Sequence, residues 1–313
     1  METWQAIILG LVEGITEYLP ISSTGHLILT KALLHLDHPQ TRQSTDDFLI
    51  IIQGGAILAV LGLYRSRVAR MFRGLAGKDP AGLRLLINLF IAFLPAAVFG
   101  LLLDKAIERH LFSTGPVLLA VLAGGLFMMA LDGWRSGRFG MPPYHGLGKE
   151  IEQLEPLDAL QIGLMQCVAM WPGTSRSMMT IGGGMIRGLR PAAAAEFSFL
   201  LGLPTLGAAT LYKLAKNLYR AHVDQAPNMF ESLGTASVIV GIVVATVSAA
   251  IAVKWLVGFL NKHGLTPFGW YRVALFVVMG VLVWRGVVRI GEPHTTTSGT
   301  ETVPAVQFQD VRE

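Results

Sequence analysis

Pro172-Gly173-Thr174-Ser175-Arg176-Ser177-Met178-Met179-Thr180 sets one arginine and four hydroxyls in a chain that is 52% hydrophobic and only 15% charged. Soluble domains carry about 25% charged residues. With a mean hydropathy of +0.52, the chain reads as an all-α integral membrane protein. An arginine far from a membrane surface is costly and needs a partner or an anionic ligand. Pro172 and Gly173 end whatever helix precedes them. Thr174 or Ser175 can then cap a new helix running on through Met178 to Ile181. A helix N-terminus with free N–H groups, hydroxyls and a guanidinium fork is a natural cradle for phosphate. On this segment alone, an arginine resting among lipid headgroups fits equally well. A second polar cluster near the N-terminus favours the cradle.

The other compositional bounds are short. Cys167 is the only cysteine, so an internal disulfide and a thiolate metal cluster are excluded. The net charge of +4 comes largely from one basic loop, which reports membrane topology rather than a nucleic-acid partner. Met1-Glu2-Thr3-Trp4 has no basic n-region, so a cleaved signal peptide is not expected.

Residues 4–19 are apolar but too short to span, and Glu13 and Glu17 interrupt them. Leu19-Pro20 breaks the segment, and Ser22-Ser23-Thr24 restarts a helix through His26 to Leu36. Six fuller spans follow, at about 48–64, 84–103, 115–134, 192–212, 235–257 and 267–286. Between the third and fourth, after the polar loop Arg135 to Asp158, lies a second broken pair, 159–171 and 175–189. The tail 292–313 lacks periodicity and reads as disordered.

The two broken segments look alike. Ala6-Ile7-Ile8-Leu9-Gly10-Leu11-Val12-Glu13 matches Ala159-Leu160-Gln161-Ile162-Gly163-Leu164-Met165-Gln166, and with a one-residue gap Pro20-Ile21-Ser22-Ser23 matches Pro172-Gly173-Thr174-Ser175. Each is followed by three spans, which predicts a duplication: a first repeat over 1–140, with a re-entrant hairpin at 4–36, and a second over 155–290, with a hairpin at 159–189. Three crossings is an odd number, so the second copy is expected upside down, with the hairpin tips meeting near the midplane. Arg65, Arg67, Arg70, Arg73, Lys78 and Arg84 mark one loop as cytoplasmic, and alternation puts both termini outside. Lys213, Lys216 and Arg220 run against that assignment.

Glu13 and Glu17 stand one turn apart on one helix face. Two ionised carboxylates so close in an apolar region need a cation between them or must share a proton. Arg176, Mg²⁺ or Ca²⁺, or a proton could supply it; a pair snorkelling at the interface is the plain alternative. Ser23 and His26 lie three apart on the restarted helix, close enough for a nucleophile and a base to communicate. Glu196, beside Phe197-Ser198-Phe199, is expected to support the broken segment. Gln53-Gly54-Gly55, Gly182-Gly183-Gly184 and Gly124-Gly125 read as close helix packing.

Taken together, Glu13-xxx-Glu17, the run Pro20-Ile21-Ser22-Ser23-Thr24-Gly25-His26 and Pro172-Gly-x-Ser-Arg-Ser-x-x-Thr180 resemble the signature of the undecaprenyl pyrophosphate phosphatases, the bacitracin-resistance family of bacterial membrane enzymes. The resemblance covers roughly residues 1–290, and all three motifs are complete. It implies hydrolysis of undecaprenyl diphosphate to undecaprenyl phosphate and inorganic phosphate, which recycles the lipid carrier for peptidoglycan. It also implies six spans plus two re-entrant helix pairs, a site open to the outer face of the inner membrane, stimulation by a divalent cation, and frequent homodimers. By motif position Glu13, Glu17, Ser23, His26, Ser175, Arg176 and Thr180 carry over.

The residues agree with that chemistry. Arg176 grips phosphate bidentately, and the hydroxyls and N–H groups around Ser22, Thr174, Ser175, Ser177 and Thr180 bind the diphosphate. Glu13 and Glu17 hold a divalent ion by way of the substrate phosphates. Ser23 is the expected nucleophile and His26 its acid/base partner, with water activated by Glu17 left open. A rival of another class is a lipid-phosphate transporter or flippase, which the inverted repeat would also suit. A non-catalytic membrane scaffold would need neither buried acids nor an arginine at matched breaks. The other lipid-phosphatase superfamily requires a histidine after Ser175-Arg176, where this chain has Ser177 to Gly182.

Overall fold

The computed structural model describes residues 1–36, 42–138, 148–223 and 228–288. The predicted tail lies outside them, as does part of the polar loop Arg135 to Asp158. Every described element is helical: α1 (Thr3–Thr16), α2 (Ser23–Leu33), α3 (Arg42–Leu63), α4 (Arg65–Leu75), α5 (Pro80–Leu111), α6 (Thr114–Arg135), α7 (Pro156–Val168), α8 (Arg176–Ile186), α9 (Pro191–Val223), α10 (Met229–Leu233), α11 (Thr235–His263) and α12 (Thr266–Trp284). Six of these, α3, α5, α6, α9, α11 and α12, are long and apolar enough to cross a membrane, which makes this a multi-pass membrane protein.

Two features differ from the sequence reading. The basic loop is largely a helix, α4, because Val68, Met71, Phe72 and Leu75 recur at helical spacing between its arginines. Helices α5 and α9 run to Leu111 and Val223, past the apolar stretches, because good helix formers such as Lys105, Leu214 and Lys216 carry them on. Hydropathy marks the oil, not the helix.

Polar contacts define the two ends of the bundle. At one end Arg67 Nε donates to Glu196 at 2.6 Å and Nη1 pairs with Glu152. There too, Arg70 meets Asp79 at 3.0 Å, and Lys149 and Arg187 converge on Asp158 at 2.9 and 2.8 Å. Burial pushes the Asp158 carboxyl up, but its two cations and the Glu155 N–H outweigh that and hold it below the usual carboxylate range. Asp132, late in α6, accepts from the N–H groups of Leu265 and Thr266, both at 2.6 Å, and so caps α12. At the other end the hydroxyls of Thr3 and Ser237 meet at 3.3 Å, Lys31 pairs with Asp46 at 2.7 Å, and Asn217 donates to Asp47 at 2.8 Å. Helix α1 starts at this second end and α7 at the first, so the two enter the bundle from opposite directions.

Each of these short helices packs on a long one through glycine. A Cβ on Gly10 would lie 2.7 Å from the Gly241 carbonyl of α11, and one on Gly14 would lie 2.4 Å from that of Ala245. On the other side, a Cβ on Gly163 of α7 would lie 2.4 Å from the Ala92 carbonyl of α5. Backbones this close gain van der Waals contact that lipid cannot match. Gly14→Val is expected to destabilise the protein by about 3 kcal/mol, because the Ser248 hydroxyl can turn aside but the backbone of Ala245 and Ala249 cannot. Gly280→Ala, where a Cβ meets nothing within 4 Å, is the control. Thermal unfolding in detergent checks both; equal midpoints would contradict the packing.

Candidate active site

The site forms where two helix breaks touch. Helix α1 ends at Thr16, and the Glu17 N–H still reaches the Glu13 carbonyl at 2.9 Å. The chain then turns through Tyr18 to Ile21, and Ser22 caps α2 by accepting from the Gly25 N–H at 3.3 Å. The second break has the same form: α7 ends at Val168, and Ser175 caps α8 by accepting from the Met178 N–H at 3.3 Å. Both cap residues hold positive φ, +74° at Ser22 and +79° at Ser175. Backbone this unfavourable for serine persists only where the surroundings impose it. Ser22 therefore corresponds to Ser175, at the same spacing as Ala6 to Ala159, and the one-residue gap of the sequence match is not needed.

The tips are joined directly. Ser177 Oγ donates to the Leu19 carbonyl at 2.9 Å, and Arg176 Nη2 donates to Glu17 Oε1 at 3.2 Å. Arg176 Nη1 donates to the Ser198 carbonyl of α9 at 3.0 Å, and its guanidinium lies 5.7 Å from the Tyr18 ring centroid. Ser23 Oγ donates to Glu17 Oε2 at 2.9 Å. A single carboxylate thus carries the guanidinium on one oxygen and the serine hydroxyl on the other. Glu13 is fully buried, with Glu17, Arg176 and Gln53 bearing on it but no hydrogen-bond partner on either oxygen. Arg176 Nε is likewise buried without an acceptor.

Several expectations need correction. Ser23 is bonded to Glu17, not to His26. The His26 ring turns away because Nδ1 lies 2.7 Å from the Ser22 carbonyl. A carbonyl only accepts, so Nδ1 carries a proton, and Nε2 on the far side of the ring lies 2.7 Å from the Tyr271 hydroxyl. Ser177 and Thr180, expected on the diphosphate, are both fully buried behind the tip. Ser177 spends its proton on Leu19, while Thr180 donates to the Arg176 carbonyl at 2.9 Å and meets Ser198 Oγ at 2.6 Å. Thr174 is buried, with its carbonyl engaged by Arg272. Glu196 pairs with Arg67 and not with either tip. Ser22 is buried as well, so of the expected phosphate ligands only Ser175 and Arg176 are partly exposed.

The comparisons with known proteins fall in line with this geometry. The family described as "Bacitracin resistance protein BacA" matches residues 6–278. The chain belongs to that family. Among BacA-like relatives, a protein of Sorangium cellulosum named undecaprenyl-diphosphatase is 47% identical over 87% of this chain and 83% of its own length. Undecaprenyl-diphosphatase 2 of Rhodospirillum rubrum is 46% identical over 91% of this chain and 96% of its own. The undecaprenyl-diphosphatase of Nitrosospira multiformis is 40% identical over the same shares.

Sequence reasoning passed over two residues of this BacA site. Tyr271 and Arg272 stand next to each other inside the apolar run 267–286, and the guanidinium of Arg272 is fully buried. A lone arginine within a span carries the same signal that singled out Arg176. It was lost because no motif surrounds it.

Proposed function

We propose that this chain is an integral membrane phosphatase hydrolysing undecaprenyl diphosphate to undecaprenyl phosphate and inorganic phosphate. The observation that carries the reading is the relay Arg176–Glu17–Ser23 across the two touching tips. The BacA family and relatives named undecaprenyl-diphosphatase support the substrate. The chain is read as an inverted duplication whose two broken hairpins dip in from opposite faces of the bacterial inner membrane. The arginine-rich end faces the cytoplasm by the positive-inside rule, and the site opens outward, where the spent carrier is recycled for peptidoglycan and bacitracin acts.

The chemistry follows from the contacts. An arriving diphosphate competes with Glu17 for Arg176, whose fork suits phosphate oxygens bidentately. Glu17, relieved of the guanidinium, becomes the better base for the Ser23 hydroxyl it already accepts. Ser23 Oγ attacks the terminal phosphorus, its proton passes to Glu17, and the bond from that phosphorus to the bridging oxygen breaks. Undecaprenyl phosphate leaves with the electron pair. Glu17 passes the serine proton to the departing phosphate oxygen; water then attacks the phosphoserine, Glu17 takes the water's proton and returns it to Ser23 Oγ, and inorganic phosphate leaves with Ser23 restored. Arg176 and the amides at the start of α8 offset charge on the transferring group.

Among the described residues no three acidic, histidine or cysteine side chains gather into a metal cage. The two buried oxygens of Glu13, which no side chain bonds, fit a divalent cation and would help to hold one beside the diphosphate. When bound, such an ion neutralises charge on the diphosphate.

A flippase for the phosphorylated lipid would need the inverted repeat but not a serine hydroxyl held on a carboxylate. Purified protein supplied with undecaprenyl diphosphate should yield undecaprenyl phosphate and free phosphate in equal amounts. Lipid movement across vesicles without phosphate release would refute the phosphatase reading.

A further inference from the structure

Arg272 of α12 is fully buried, and among the described residues no carboxylate pairs with it. Four of its five N–H donors go to main-chain carbonyls. Nε donates to Val121 at 3.0 Å and Nη2 to Ala120 at 2.9 Å, both on α6. Nη2 also donates to Gly173 at 2.7 Å and Nη1 to Thr174 at 3.0 Å, the two residues before the Ser175 cap. A buried charge is costly even when hydrogen-bonded, and apolar packing would serve stability as well or better. This one is spent on shaping a turn.

The surroundings are cut to fit it. A Cβ on Gly124 would lie 2.5 Å from Arg272 Nη2, and one on Gly125 would lie 3.1 Å from its Cβ. The pair of glycines that reads as ordinary packing is the slot for a guanidinium. Gly173 has φ +96°, and a Cβ there would also strike the Val117 carbonyl at 2.7 Å. The turn is therefore pressed onto α6 and tied from behind by its carbonyls. Its next residue, Ser175, sits at +79°. The Arg176 and Ser177 amides, in the first turn of α8, have no intrahelical acceptor.

We infer that Arg272 is a positioning residue of the reaction: it pins the Gly173 and Thr174 carbonyls so that Ser175 keeps its left-handed conformation and the α8 amides and Arg176 meet the diphosphate. The inference rests on the reading of the α8 tip as a phosphate site. Tyr271, beside it on α12, bonds His26 of the other break, so one helix braces both tips.

The test is a cycle on the full chain, with farnesyl diphosphate as probe and phosphate release as the signal. Arg272→Lys keeps the charge but loses the fork, and should lower kcat by about tenfold or more, since small misplacements at a site are costly. Glycine takes a positive φ without support. In a Ser175→Gly background, Arg272→Lys should therefore cost less than about threefold, where a general loss of stability would cost the same in both backgrounds. Additive costs, or normal turnover in Arg272→Lys, would overturn the proposal. If Arg272→Lys does not fold, Gly124→Ala takes its place in the same cycle, displacing the guanidinium while leaving it present, with the same two outcomes. Arg176→Ala distinguishes the levels: activity surviving there strikes the phosphate-site reading itself, whereas its loss together with an additive cycle strikes only the role of Arg272.

Discussion

Arg176→Lys is expected to lower phosphate release by a hundredfold or more, although the positive charge is retained. The guanidinium divides its donors between Glu17 Oε1 and the Ser198 carbonyl and faces the Tyr18 ring. An ammonium is a compact point charge and cannot hold that fork or grip two phosphate oxygens at once. Removing one donor to a developing oxyanion costs about 10²–10³ in turnover, and lysine loses more than one. Initial rates on farnesyl diphosphate give the loss, and thermal unfolding in detergent shows whether the protein stays folded. Folded protein turning over at the parental rate would remove Arg176 from the site.

Glu17→Gln is expected to lose about 10²–10⁴, the range set by a positioned base. The amide is nearly isosteric and can still accept from Ser23, so the pocket keeps its shape. It can no longer take the serine proton or carry the charge that holds Arg176 between substrates. KM is expected to move little or to fall, because Arg176 no longer has to leave a carboxylate to reach phosphate. A variant with parental kcat and raised KM would mean that Glu17 binds substrate without acting on Ser23, and the nucleophile would have to be sought elsewhere.

Most of the architecture was legible because its physical signals are local. Long apolar runs announce spans, and the breaks at Leu19-Pro20 and Pro172-Gly173 announce themselves through proline, glycine and hydroxyls. That the tips meet was legible as well, from the doubled pattern and the odd number of crossings. What the sequence could not supply was direction within a turn. Ser23 and His26 look like partners three residues apart, but Nδ1 folds back on the Ser22 carbonyl and points the ring at Tyr271, 245 positions away. Ser177 and Thr180 look like ligands, but one face of α8 packs inward and takes their hydroxyls with it. Arg272 went unread because its ligands are carbonyls, and carbonyls have no letter in the sequence.

The account stands or falls on one pocket built by both breaks. A structure of the protein with a non-hydrolysable farnesyl methylenediphosphonate tests it most directly. The terminal phosphonate should lie within hydrogen-bond reach of Arg176 and the α8 amides, with its phosphorus facing Ser23 Oγ. A headgroup bound away from the two tips, or touching only one of them, would contradict the account.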